Sequence, residues 1–348
     1  MGKAAVLGAG YMGSAITFPL ADNGIKVNLW GTWLDDDILD ACKYGQHPKL
    51  KKQLPESVSL YNSDRLRDAV KDADIIIIAV TSEGFFSVFN KLLDSIEKEY
   101  PIFSFTKGFI THAEKVQRIS AGAADIYQQK LPGLNLFWAS VGGPVKAVEL
   151  SNKVPTATVF GINSPEIKGL IEYFPTDYYM ISTCNDVKGV ELTSAFKNIY
   201  AIAIGIYDGL YQATEDRIYH NFKALIFNQA IQEMALLVEK AGGKRKTVFD
   251  LAGIGDLYVT SSSGRNRRFG EYIGRNVKPE KAYKIMLDDH ETAEGYSTLG
   301  LGMTFTKQLG EDLIKDLPLL DMLYRIIFLH NNIKDEVTRF IRLYGQMR

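Results

Sequence analysis

Short apolar runs, spaced by helix-length segments, fill the first half of the chain. Residues 3–7, 26–30, 74–80, 101–106, 136–140, 156–160 and 178–182 are runs of this kind. In the third of them Asp74 leads into Ile75, Ile76, Ile77, Ile78, Ala79 and Val80, with no polar alternation. A strand reads that way when both faces of a parallel sheet are covered. Residues 11–23 and 164–173 have helical spacing, and the first stops at Gly24, a residue that ends helices well. Strand and helix in alternation predict a doubly wound α/β domain. Past about Asn185 the pattern changes. Apolar positions then recur at helical spacing across 189–205, 222–242, 279–287 and 318–330. The expected organisation is an α/β, Rossmann-type doubly wound N-terminal domain over residues 1–185, followed by an all-α C-terminal domain over 186–348.

Composition narrows the class of function. A chain of 348 residues is long enough for two domains with a core each. Its formal net charge of −1 implies no general attraction to nucleic acid or to an anionic membrane, so any anion must be held by a local arrangement. Cys42 and Cys184 are the two cysteines, neither with the close partners of a zinc site, and the five histidines are scattered. No metal is expected. The chain starts directly on a strand pattern without a signal-peptide pattern, and no apolar run reaches the roughly 18 residues of a membrane span. A cytoplasmic location is the expectation.

Chemistry enters at a few places. Gly8, Gly10 and Gly13, with Ala9, Tyr11 and Met12 between them, fit the G-x-G-x-x-G pattern after a strand and at the start of a helix. There the first glycine makes the turn, the second lets a pyrophosphate approach the backbone and the third lets helix and strand pack. No acidic residue directly ends the second strand, since Gly31, Thr32 and Trp33 follow Trp30 and Asp35, Asp36 and Asp37 come later. No lysine or arginine lies between Val27 and Cys42 to meet a 2′-phosphate, which leans the nucleotide towards NAD over NADP. Lys107 and the Ser140-Val141-Gly142-Gly143-Pro144 segment each follow a strand, where open α/β sheets bind ligands. A solvated lysine and a plain turn are the bland alternatives. Lys197 and Asn198 stand side by side in an apolar helix, where an ammonium is costly without a partner. Asp256, between apolar neighbours, is the carboxylate expected to pair with it. The loop running through Ser263, Gly264, Arg265 and Asn266 is either a phosphate receptor or a polar surface loop.

Taken together these motifs resemble the NAD(P)-dependent glycerol-3-phosphate dehydrogenase family, in the family's order and over nearly the whole chain. The resemblance rests on residues 8–15, Thr106-Lys107-Gly108, Gly143-Pro144, Glu191 through Asn198, Gly255-Asp256-Leu257 with Thr260, Gly264-Arg265-Asn266, and Ala293-Glu294-Gly295. It implies reversible hydride transfer between NAD(P)H and dihydroxyacetone phosphate. Lys197 is then the general acid/base, with Lys107 and Asp256 completing its electrostatic setting. Lys107, Gly143, Asn198, Asp256, Thr260, Gly264, Arg265 and Asn266 become substrate ligands, Arg265 and Asn266 on the phosphate. Gly8, Gly10, Tyr11, Met12, Gly13, Trp30, Lys107, Ala147, Arg265 and Glu294 become cofactor contacts. A homodimer is also implied. Val145 stands where many members carry a hydroxyl, and Gly264 where many have serine. A 3-hydroxyacid or ketopantoate-type reductase is the rival enzyme reading, and a non-catalytic nucleotide-sensing module the rival from another class.

Overall fold

The structure is a computed structural model that describes residues 2–211, 220–289 and 291–346. It divides into two compact units. One takes the chain up to Ile110 and again from Arg118 to Glu191, and the other takes Thr111–Gln117 and the chain from Leu192 onward.

The first unit is built on an eight-stranded sheet. Its strands are β1 (Lys3–Leu7), β2 (Lys26–Trp30), β3 (Val58–Tyr61), β4 (Ile75–Ile78), β5 (Ile102–Ser104), β8 (Trp138–Gly142), β9 (Thr156–Ile162) and β10 (Tyr179–Cys184). A separate two-stranded ribbon holds β6 (Phe109–His112) and β7 (Lys115–Arg118). The sheet order is β10-β9-β8-β5-β4-β1-β2-β3, parallel throughout except where β8 meets β9. From β1 the chain winds first through β2 and β3 on one side, then through β4 and β5 on the other, so the switch point lies at β1. Helices α1 (Tyr11–Asp22), α2 (Asp36–Tyr44), α3 (Leu66–Val70), α4 (Ser82–Leu93), α5 (Ile119–Lys130), α6 (Ala147–Ser151) and α7 (Lys168–Ile171) connect the strands.

Strand β4 shows why its run has no alternation. Ile75 and Ile77 enter one apolar cluster with α1, α2, α6 and α7, while Ile76 and Ile78 enter a second with α3, α4 and α5. All four are fully buried, each contributing about 1.5–3 kcal/mol relative to exposure. The sheet therefore has a core on each face, which is the physical content of the doubly wound expectation.

The second unit is helical. It carries most of α8 (Val187–Leu210), then α9 (His220–Lys240), α10 (Arg245–Val248), α11 (Asp256–Ser263), α12 (Arg265–Gly274), α13 (Pro279–Asp288), α14 (Glu294–Leu309), α15 (Pro318–Ile327) and α16 (Ile333–Gln346). The boundary between units falls inside α8, between Glu191 and Leu192. Three features depart from the sequence pattern. Strand β3 forms at the sheet edge although its residues are only half-buried, so its run is short and weakly apolar. The β6–β7 ribbon interrupts the strand–helix alternation, and its segment Thr111–Gln117 groups with the helical unit. There the side chain of Gln308, on α14, accepts from Val116 N at 3.0 Å and donates to Val116 O at 3.1 Å, as a neighbouring strand would. The segment expected to be helical over 164–173 is a 3₁₀ turn, Pro165–Ile167, running into the short α7. Among the described residues no helix is long and apolar enough to cross a membrane.

Candidate active site

In the first unit the glycine-rich turn joins β1 to α1. Gly8 takes φ +107°, and its N–H donates to Trp30 O at 2.8 Å. A Cβ on Gly13 would lie 1.9 Å from Gly8 O, so the helix start can touch the turn only without a side chain. Around Gly10 a Cβ would meet nothing within 4 Å. This open cradle lies at the N-terminus of a helix whose first intrahelical bond is Ser14 N to Gly10 O. The N–H groups of Tyr11, Met12 and Gly13 therefore have no acceptor within the helix, the arrangement that receives a pyrophosphate. A dinucleotide fits this turn.

Two buried side chains from the segment after β2 fasten it. Asp35 Oδ2 accepts from Ala9 N at 3.2 Å and from Thr32 N and Oγ1, both at 2.8 Å. The His47 ring lies 3.1 Å from Ala9 O through Nε2, while its Nδ1 accepts from Lys49 N and Leu50 N at 3.1 Å. Those two acceptor contacts assign the proton to Nε2, which donates to Ala9 O. Burial holds His47 below its ordinary pKa of 6.5, consistent with a neutral ring. Lys49 follows, its Nζ 5.4 Å from the centroid of the half-exposed Tyr11 ring.

Lys107 follows β5, just before Gly108 at φ +120°. Gly143 follows β8, the parallel neighbour of β5, at φ +114° and with Thr158 Cα 3.2 Å from where its Cβ would be. These two residues thus stand on adjacent strand ends. Ala147 begins α6, which packs on α1. Trp30 is placed differently from a contact surface: its indole is fully buried in the core, and its carbonyl holds Gly8. Val145 packs against the apolar core, and offers no hydroxyl. Glu191 is buried and accepts from Arg118 Nη1 (2.8 Å), Ser120 N (2.8 Å), Ser120 Oγ (2.6 Å) and Ser140 Oγ (2.9 Å), joining α8 to the start of α5 and to β8.

In the second unit Lys197 is 6 % exposed, on a helix whose neighbouring positions are all buried. Its Nζ donates to Asp256 Oδ1 at 2.5 Å and to Thr260 Oγ1 at 2.8 Å. The cost of the buried ammonium is thereby offset by a buried carboxylate and a hydroxyl. Asp256 is presented by an unusual local shape. Residues Leu251–Gly255 form a π-helical turn, and α11 starts at Asp256 directly after it. A Cβ on Gly253 would lie 2.0 Å from Val248 O, so this wide turn packs on α10 only through glycine.

One turn past Thr260 the chain breaks at the extended Gly264, whose Cβ would lie 2.3 Å from Thr260 O. Helix α12 starts again at Arg265, with Arg268 N to Gly264 O as its first bond. The N–H groups of Arg265, Asn266 and Arg267 lack acceptors within the helix, as suits an anion. The Asn266 side chain is buried, with Oδ1 accepting from Gly295 N at 2.8 Å and Nδ2 donating to Asn198 Oδ1 at 3.0 Å. Asn198 Nδ2 in turn donates to Glu294 Oε2 at 3.3 Å, and Arg265 Nη2 lies 3.6 Å from Glu294 Oε1. Arg265 is about half exposed, able to meet a ligand.

The second unit thus brings together Lys197, Asn198, Asp256, Thr260, Gly264, Arg265, Asn266 and Glu294. The first unit carries the glycine turn, Trp30, Lys107, Gly143 and Ala147. Asp35 and His47, which fasten the turn, were not singled out as site residues in the sequence. Asp35 has a visible signal in its nearness to the second strand, whereas His47 has none, because its partner is 38 positions away.

The chain is similar to known proteins over most of its length. Residues 3–168 match the model for the N-terminus of NAD-dependent glycerol-3-phosphate dehydrogenase, and residues 186–338 match that for its C-terminus. The NADP(+)-dependent glycerol-3-phosphate dehydrogenase of Archaeoglobus fulgidus is 32 % identical over 326 residues, covering 93 % of this chain and 94 % of that protein. The glycerol-3-phosphate dehydrogenase [NAD(P)+] of Carboxydothermus hydrogenoformans is 31 % identical, covering 94 % and 92 %. A crystal structure of the Coxiella burnetii glycerol-3-phosphate dehydrogenase superposes with a TM-score of 0.81 at 28 % identity, over 98 % of each chain.

Proposed function

The chain belongs to the NAD-dependent glycerol-3-phosphate dehydrogenase family, and from that premise we propose that it interconverts dihydroxyacetone phosphate and sn-glycerol 3-phosphate with a nicotinamide dinucleotide. The observation that carries this reading is the buried Lys197–Asp256–Thr260 cluster, one residue along α8 from the network of Asn198, Asn266, Glu294 and Arg265. It couples a proton-bearing group to an anion receptor, the two functions that a phosphorylated ketone requires.

The nicotinamide, when bound, supplies the hydride to C2 or accepts it. Gly10, Tyr11, Met12 and Gly13 would hold its pyrophosphate on the α1 N-terminus. Lys197 keeps its proton at Nζ, aimed by Asp256 and Thr260, and delivers it to the carbonyl oxygen as the alkoxide develops. Its charge stabilises that oxygen before the proton moves. Lys107 adds positive charge in the same reading. Arg265 and the first N–H groups of α12 bind the phosphate, so that binding energy remote from C2 orients the reacting carbon. The side chain of Asn266 accepts from Gly295 N and gives one Nδ2 hydrogen to Asn198. In this reading its backbone N–H and its second Nδ2 hydrogen serve the phosphate.

The local sequence leans towards NAD, but Lys49 brings a cation back to Tyr11 from outside the interval where none was found. We therefore assign the site to both nucleotides. A cytoplasmic homodimer belongs to the same reading, with sedimentation as its measurement. The deciding experiment is a steady-state assay of dihydroxyacetone phosphate with NADH and NADPH side by side. Turnover with both is expected. Turnover only with keto acids points to a hydroxyacid reductase, and nucleotide binding without turnover to a sensing module.

A further inference from the structure

Helices α8 and α12 meet backbone to backbone at four places. A Cβ built on Gly205 would lie 1.9 Å from Arg267 O, and one on Gly209 would lie 2.2 Å from Glu271 O. From the other helix, Cβ atoms on Gly270 and Gly274 would each lie 2.2 Å from a carbonyl oxygen, those of Ile202 and Ile206. Every atom met is main chain, so no side-chain rotation relieves the clash and the helices would have to separate.

The register gives this packing a functional meaning. Asn198 faces Asn266 through a 3.0 Å hydrogen bond, Ile202 faces Gly270 and Ile206 faces Gly274. Four residues along one helix match four along the other, so the two run side by side in one direction. The first glycine contact is therefore one turn beyond the Asn198–Asn266 bond. The same end of the pair carries Lys197 on α8 and Arg265, with the open N–H groups, on α12. On the reading given above, the first meets the carbonyl oxygen and the second the phosphate of one small molecule. One carbon and one oxygen separate C2 of that substrate from phosphorus, so it cannot stretch to follow a wider site.

We propose that Gly270, seconded by Gly274 one turn farther on, is a positioning residue: its missing side chain sets the spacing between Lys197 and the phosphate receptor. This rests on the assigned activity and refines it. The test uses full-length Gly270→Ala and Gly274→Ala, with KM for dihydroxyacetone phosphate, KM for NADH, kcat and the melting temperature measured for each.

Gly270→Ala is expected to raise the substrate KM about tenfold or more, since displacements near 1 Å carry penalties of that order or larger. The KM for NADH should stay within about twofold, because the glycine turn is untouched. Gly274→Ala should give a smaller rise of the same kind. A purely structural role lowers kcat and melting temperature together, through the folded fraction, and leaves both KM values alone; that pattern overturns the proposal. Should Gly270→Ala fail to fold, an unchanged substrate KM in Gly274→Ala overturns it equally. A wild-type protein inactive on dihydroxyacetone phosphate fails the activity reading itself, and the positioning role with it.

Discussion

Lys197 and Arg265 are charges with opposite placements. Lys197 is sealed into a helix and paired with Asp256 at 2.5 Å, whereas Arg265 is about half exposed and only loosely paired with Glu294 at 3.6 Å. The first arrangement keeps a proton in one place, and the second leaves a guanidinium available to a ligand. Replacing Lys197 by Met keeps most of the volume and removes the proton. Turnover should fall about 10²–10⁴-fold, while fluorescence titration still shows nucleotide binding; near-normal turnover would remove Lys197 from the chemistry. The same variant strands Asp256 as a buried charge, at about 3–5 kcal/mol of stability, so its melting curve must be recorded alongside. Arg265→Ala should raise the KM for dihydroxyacetone phosphate about 10- to 100-fold, the size of a lost charged hydrogen bond. An unchanged KM would take Arg265 out of the phosphate site. Both residues stood out in the sequence by type and neighbours. Asp35 stood out only by following the second strand and His47 not at all, because what makes them important is their grip on Ala9, which only the folded chain brings near.

Among elements, β4 and α8 were legible because each carries a long, unbroken apolar signal: four isoleucines in a row, buried on both faces, or apolar residues sustained for several helical turns. Strand β3 was not, since its edge position leaves it half-buried and asks for little hydrophobicity. Helix α15 depends on a contact no local pattern contains. Its first N–H groups, of Leu319 and Leu320, donate to the carboxyl of Glu233 on α9 at 2.7 and 2.9 Å, and Gln229 and Tyr200 donate to it as well. Despite these four donors, burial pushes Glu233 up from 4.5 to about 7. A folded-state pKa above the unfolded one means stability fully present below about pH 4.5 and lost as pH rises through 7. A shift of this size is worth about 3 kcal/mol. Urea midpoints of the wild type should fall between pH 5 and 8 more steeply than those of Glu233→Gln. Parallel curves would show that Glu233 does not govern the slope. His47 acts with the opposite sign: its depressed pKa means that stability from the neutral ring is lost as pH falls below its ordinary 6.5.

For the molecule as a whole, the division into units follows contacts and not the order of the chain. Thr111–Gln117 groups with the helices, and there Gln308 grips Val116 by both amide atoms, across 192 positions of sequence. Gln308→Ala should cost about 1–3 kcal/mol in urea melts, the two lost bonds leaving Val116 without these partners. It should also speed hydrogen exchange at Val116 N, and protection equal to wild type would show that the grip is idle. The amino-acid sequence by itself determined the α/β start and the helical remainder, because burial on two faces or on one stripe imposes periods that a linear pattern displays. It also determined the glycine turn and the identities of the charged residues, because their chemistry travels with the residue type. Only the tertiary structure decided that Asp256 and Thr260 share Lys197, that Asn266 turns its side chain inward, and that Lys49 returns to Tyr11. Those facts depend on distances between residues remote in the chain. Packing at the resolution of one missing Cβ sets such distances, and no periodicity records it.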